Sequence, residues 1–185
     1  LSKPPSPGQS LEGWLLGVED PANPVNMHLK FKLSEAEITE LRRQSIQNPD
    51  SPLFSIGYGR DAEIPFGEMA NKFDNYPMSF LDMPASEWKK YEDAGAYGDF
   101  WEINSDAIEW AMEERKIFVL NVNYELATRS TDPNATRRFT YAELKLIDKI
   151  DDGYTLVPYG KYSFLVPDEH LDDFEDFVPV ELLMQ

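Results

Sequence analysis

The sequence predicts a single α+β domain, and three observations support this. Residues 25–33 alternate apolar and polar side chains with a period of two, which is typical of a strand buried on one face. Residues 34–37 read Ser-Glu-Ala-Glu, a capping box that predicts the start of a helix. Residues 116–166 contain further apolar alternations separated by turn residues. Strands and helices grouped in blocks indicate an α+β architecture, with an antiparallel meander in the C-terminal half and helices packed on one face.

In the first 115 residues the predicted elements are strands over 12–18, 25–33 and 52–58, and helices over 35–47, 84–94 and 106–115. Asn48-Pro49-Asp50 is expected to end the first of these helices. The second helix begins at Pro84 and ends at Gly95, which are the preferred residues at those positions. Asn104 or Ser105 is expected to cap the third helix.

The C-terminal half is expected to form the meander and to close with an acidic amphipathic helix. Its predicted elements are strands over 116–128, 137–150, 154–157 and 161–166, and a helix over 168–177. The apolar positions of 137–150 shift from odd to even numbers, which predicts a β-bulge near Ala142. Asp151-Asp152-Gly153 is typical of a hairpin turn.

Proline and serine dominate residues 1–10, so this segment is expected to lie outside the domain formed by residues 11–185. It would serve as a tether that holds the domain off a membrane, or consist of residues left by removal of a tag. No run of about 18 apolar residues occurs, so no membrane insertion is expected. The expected location is the bacterial cytoplasm or periplasm, and a natural tether would favour a periplasmic lipoprotein.

The charge balance excludes several classes of partner. The chain has 34 acidic and 17 basic residues and a net charge of −17. Binding to nucleic acid needs a positive face for the phosphates, and binding to an anionic membrane surface needs basic residues. Neither kind of partner is expected.

Cofactor and metal sites are not expected either. The chain has no cysteine and only two histidines, which removes thiolate ligands, a cysteine nucleophile and His-rich metal sites. No phosphate-binding or dinucleotide-binding fingerprint is present. Residues 148–153 faintly resemble the start of a calcium-binding loop. In such a loop the third and twelfth positions supply oxygen ligands, but here those positions are Ile150 and Tyr159.

The 168–177 segment carries the strongest local signal for partner binding. Apolar residues at helical spacing are expected to face the core, and the remaining positions are largely acidic. The candidate partner-binding residues are the acidic side chains of this segment and two aromatic residues, namely Asp168, Glu169, Asp172, Asp173, Glu175, Asp176, Trp101 and Tyr97. A solvated face of an acidic protein is the alternative interpretation.

These features favour a non-enzymatic acidic protein that neutralises a basic protein by stoichiometric complex formation. A bacterial immunity or inhibitor protein directed against a toxin or effector fits that description. Two alternatives remain open. One is a hydrolase that uses the carboxylates of Asp99 and Glu102, which lie beside Phe100 and Trp101. The other is a structural component of a phage or secretion apparatus.

Overall fold

The computed structural model describes residues 29–56, 71, 77–120, 135–150, 153–159 and 162–183. The α-helices in these ranges are α1 (Glu35–Ser45), α2 (Ala85–Ala94), α3 (Tyr97–Glu113), α4 (Ala135–Ile150) and α5 (Val180–Leu183). The strands are β1 (Ile46–Gln47), β2 (Leu53–Ile56), β3 (Phe80–Leu81), β4 (Ile117–Leu120), β5 (Tyr154–Tyr159) and β6 (Tyr162–Pro167). The predicted strand over 12–18, the segment 1–10, residues 25–28 and Asp151-Asp152 lie outside the described residues.

A four-stranded mixed sheet forms the centre of the fold, with the strand order β2-β4-β6-β5. β2 and β4 are parallel, whereas β4–β6 and β6–β5 are antiparallel. The small β1–β3 sheet is connected to this sheet through Ser79, which forms a bridge with Phe54. The predicted α+β class is confirmed, with antiparallel pairs in the C-terminal half and helices packed on the sheet.

The two faces of the sheet are covered by different elements. Phe118 and Leu120 lie on one face, in a cluster with Ala111 of α3 and Leu144 of α4. Val119 belongs to the other face, where the cluster includes residues from the C-terminal segment, Phe174, Val178 and Leu182. Since successive side chains of a strand point to opposite faces, four buried residues of β4 contribute to both cores.

Local sequence signals account for the ends of α1 and α2. Both hydrogen bonds of the predicted capping box form between Ser34 and Glu37, so the start of α1 is confirmed. α2 ends at Gly95, which adopts a left-handed conformation with φ of 63°. That backbone conformation is strained for other residues, which explains why glycine stands there.

Residues 137–150, predicted to be a strand, lie within helix α4, so this prediction was wrong. Leu144 and Ile147 are three residues apart and both enter the core cluster that contains α3. The shift in apolar positions therefore reflects helical periodicity, not a β-bulge near Ala142. The predicted hairpin between strands 137–150 and 154–157 is therefore wrong as well, because a helix precedes β5.

The prediction of an acidic α-helix over 168–177 was also wrong, because the helices found there are of the 3₁₀ type. The segment contains two 3₁₀ helices, Asp168–His170 and Phe174–Phe177, separated by a turn. Aspartates have low helix propensity, and carboxylates late in an α-helix are opposed by its dipole. Asp172 and Asp173 fall in the turn between the two 3₁₀ helices.

Two further predictions differ from the structure. Residues 29–33 of the predicted 25–33 strand form no strand, because the N–H groups of Lys30, Phe31 and Lys32 bind the side chain of Asp99. The helix predicted over 106–115 begins much earlier, at Tyr97, so Asn104 lies in its interior and is buried.

Candidate functional site

The C-terminal segment after β6, residues 168–183, is anchored to the sheet by apolar side chains. Phe174, Val178 and Leu182 are buried in the core beneath it. The ring of Phe174 packs 5.8 Å from that of Phe164 and 6.3 Å from that of Tyr159. This packing holds the segment, which consists of two 3₁₀ helices and the short helix α5, in a fixed position on the domain.

The carboxylates of this segment face solvent. All six predicted partner-binding acids are exposed, namely Asp168, Glu169, Asp172, Asp173, Glu175 and Asp176. We call these residues the acidic surface. No lysine or arginine occurs anywhere in residues 162–185.

Three of the six carboxylates are held by neighbouring groups. Asp168 accepts a hydrogen bond of 2.6 Å from the hydroxyl of Thr155. Glu169 forms a bidentate pair with Arg115, whose Nε and Nη2 donate over 2.6 and 2.9 Å. The hydrogen bond from Arg115 lowers the pKa of the Glu169 carboxyl. Asp173 lies 3.2 Å from the Nδ1 atom of His170.

The other three carboxylates are available to a partner. In the described part of the chain, no side-chain hydrogen bond or ion pair engages Asp172, Glu175 or Asp176. Two apolar side chains of the same segment are also exposed, Leu171 at 37% and Val180 at 63%. Free charge and exposed apolar area within one anchored segment are a combination found at protein interfaces.

The two predicted aromatic residues lie elsewhere in the fold. Tyr97 and Trp101 are half-buried in the first two turns of α3, and Tyr97 packs 6.1 Å from Trp88 of α2. The later turns of α3 cover the sheet face opposite to the one beneath the acidic surface. The structure therefore does not bring Tyr97 and Trp101 together with the acidic surface.

Asp99 and Glu102 do not form an accessible carboxylate pair. Asp99 is fully buried, and both of its oxygens accept backbone N–H groups. Glu102 is half-buried, and its pKa is raised by burial and then by the charge of Asp99. The oxygens of Asp99 are occupied by the backbone N–H groups of residues 30–32.

Sequence reasoning missed several charged groups in the interior. Glu143 on α4 is half-buried, its carboxyl is hydrogen-bonded to Asn104 of α3, and desolvation raises the pKa of the carboxyl to about 8. Lys116 is 5% exposed and donates to the carbonyls of Pro49 and Ser51, with its Nζ 4.9 Å from the ring centre of Trp110. Burial lowers the pKa of Lys116. Nothing in the local sequence distinguishes these residues from exposed ones.

The described residues contain no cluster of three or more histidine or acidic side chains arranged to hold a metal ion. None of the described helices is both long and apolar enough to cross a membrane.

Comparison with known proteins does not add a family to this picture. The chain matches no protein family, no curated protein and no solved structure. The acidic surface, described from its own residues, is therefore the candidate site.

Proposed function

We propose that this protein is a non-enzymatic binding protein that neutralises a basic protein by forming a stoichiometric complex. Immunity and inhibitor proteins that block a toxin or effector act in this way. The observation that carries the proposal is the acidic surface, in which Asp172, Glu175 and Asp176 are exposed and unpaired in the described part of the chain.

Charge supports the first step of such a complex. A net charge of −17 attracts a basic protein over several ångströms, and concentration of negative charge on one segment orients the encounter. Residues 162–185 contain seven acidic residues and no lysine or arginine. Arg115 pairs with Glu169 from outside the segment, and Asp172, Glu175 and Asp176 keep their charge free of such pairs in the described part of the chain.

Packing supports the second step, which is retention of the partner. Leu171 and Val180 offer exposed apolar contact within the same segment. An interface gains most of its affinity from a few desolvated side chains, while charges around them mainly set the association rate. The buried anchors Phe174, Val178 and Leu182 keep the segment ordered before binding, so less conformational entropy is lost in the complex.

The proposal is tested by removing four charges from the acidic surface. The variant D172N/D173N/E175Q/D176N changes the net charge from −17 to −17 + 4 = −13. A control variant, E35Q/D50N/D82N/E113Q, removes the same number of exposed charges from elsewhere in the described structure. The partner is first isolated on the wild-type protein from native cells as a complex of fixed stoichiometry, and association is then measured over a range of salt concentrations.

We expect the acidic-surface variant to associate roughly tenfold more slowly at low salt and with a weaker salt dependence. The control variant should lose much less, because its charges lie away from the contact. Equal losses in both variants would assign the effect to net charge and remove the acidic surface from the interface. Failure of the wild-type protein to retain any basic protein at low salt would contradict the proposed function itself.

A further inference from the structure

A second surface, formed by α2 and the first turn of α3, brings several aromatic rings into contact. Trp88 lies 4.6 Å from Phe100 and 6.1 Å from Tyr97, measured between ring centres. Phe100 lies 6.4 Å from Tyr91, which packs against Phe31 at 5.1 Å. Tyr91 is buried and Phe31 is 42% exposed, while Trp88, Tyr97 and Phe100 are half-buried. We call these five rings the aromatic surface.

Charges of both signs lie beside this surface, since Lys30 and Lys32 are exposed next to Phe31 and acidic groups act on Tyr91. Burial raises the pKa of the Tyr91 hydroxyl, and the charges of Glu87, Asp99 and Glu37 raise it further. The two lysines of α2 are already matched, because Lys89 pairs with Asp93 at 3.1 Å and Lys90 with Glu87 at 2.7 Å.

Glu92 is placed to add a direct charge contact. It lies four residues after Trp88 on α2, which puts both side chains on the same side of the helix. Its side chain is exposed and takes part in no hydrogen bond or ion pair within the described ranges.

Elsewhere in the molecule, comparable rings already carry a cation. Trp110 has the guanidinium of Arg42 at 5.4 Å and the Nζ of Lys116 at 4.9 Å, and Tyr154 has the guanidinium of Arg115 at 5.0 Å. No lysine or arginine of the chain occupies the rings of Trp88 and Tyr97 in this way, as far as the described residues extend. Trp88 and Tyr97 are only half-buried, so each ring keeps exposed area that a cation from outside can reach.

We propose that Trp88, Tyr97 and Glu92 form a binding site for an arginine side chain presented by another protein. A guanidinium is planar and weakly hydrated, so it stacks on an aromatic ring while it donates hydrogen bonds to a carboxylate. Trp88 would supply the ring and Glu92 the carboxylate. The site is separate from the acidic surface and extends beyond the function proposed above.

The test uses N-acetylarginine amide as the probe and N-acetylcitrulline amide as its neutral counterpart of nearly equal shape. Binding is followed by NMR through the indole N–H signals of the tryptophans, with Trp88→Phe used for assignment. The Trp110 signal serves as an internal control, because Arg42 and Lys116 already lie against that ring.

We expect the arginine probe to shift the Trp88 signal with millimolar affinity, roughly twofold to fivefold tighter than the citrulline probe. The Trp110 signal should not move. The surface variant E92Q, which leaves the aromatic packing intact, should weaken arginine binding roughly twofold. Replacing the four charges of the acidic surface should leave the probe affinity unchanged.

Equal shifts with the arginine and citrulline probes would overturn the proposal, because they would show that charge has no role. An unmoved Trp88 signal in the wild-type protein would overturn it as well. Neither result concerns the capture of a basic partner on the acidic surface, so the two proposals can fail independently.

Discussion

The carboxylate of Asp99 accepts a hydrogen bond from the backbone N–H of Lys30, with 2.7 Å between Oδ2 and the nitrogen. Its other oxygen accepts from the N–H groups of Phe31 and Lys32 at 2.9 and 3.2 Å. Three successive backbone donors around one anion form the kind of concave site that binds phosphates in other folds. Here the anion belongs to α3, and it fixes the chain just before α1 begins.

Replacing Asp99 should release this segment. We expect D99A to lower the free energy of unfolding by about 3 kcal/mol, because three donors lose a charged acceptor. Trypsin should also cleave faster after Lys30 and Lys32, the two basic residues of the segment. Chemical denaturation and timed proteolysis measure the two effects. The exposed residue Asp93, which pairs only with Lys89 among the described residues, provides a control, since D93A should change stability by less than about 1 kcal/mol. Unaltered cleavage in D99A would contradict the proposed role of Asp99.

Glu143 should make the stability depend on pH. Its pKa is raised from 4.5 to about 8 in the folded protein, so between these values the unfolded chain is ionised while the native state retains the proton. Unfolding then releases a proton, and stability falls as pH rises, by at most about 1.4 kcal/mol per pH unit. The loss should level off above pH 8.

The variant E143Q should reduce this slope and be more stable than the wild-type protein above pH 8, because a neutral amide needs no desolvated charge. Denaturation midpoints measured from pH 5 to 9 test this. The exposed residue Glu113 on α3 supplies the matched control, and E113Q should retain the wild-type slope. Parallel pH curves for the wild-type protein and E143Q would contradict the protonated state of Glu143.

The Arg115–Glu169 pair should contribute in the opposite pH range. Its hydrogen bond lowers the pKa of Glu169 in the folded state, so its contribution is present above the carboxyl's ordinary pKa and is lost as pH falls through the lowered value. Both side chains are partly exposed, so we expect E169Q to cost about 0.5–1 kcal/mol at neutral pH. Thermal unfolding at pH 7 and pH 2.5 measures the difference, and a cost that persists undiminished at pH 2.5 would exclude an ionic origin.

Local signals in the sequence predicted the ends of elements better than their type. Ser34 and Glu37 cap α1 as expected, and Gly95 caps the end of α2. Both capping motifs depend only on residues a few positions apart, so the sequence reveals them. The strands predicted over 52–58, 154–157 and 161–166 also correspond to β2, β5 and β6, although β5 continues to Tyr159.

Errors arose where distant residues determine the backbone. The N–H groups of residues 30–32 are taken by Asp99, 67 to 69 positions away, so an alternating pattern there does not become a strand. Leu144 and Ile147 fit either a shifted strand or a helix, and contact with α3 decides between them.

The candidate site was predicted in part. Abundant charge implied that the acids of 168–176 are exposed, and all six are. Whether Tyr97 and Trp101 lie near the acidic surface depends on which face of the sheet each element covers. The spacing of residues in the sequence does not determine which face that is. The ring contacts of Trp88 with Tyr97 and Phe100 likewise come from packing between α2 and α3.

The order of the central sheet has a consequence for the behaviour of the protein at high concentration. In the described part of the chain, β5 has a strand neighbour on one side only, so its outer edge could template the addition of another molecule. Pro158 lies within this strand, opposite Ser163. Because proline has no N–H group, an incoming strand would lack a donor near one end of the ladder, and growth at the β5 edge is disfavoured.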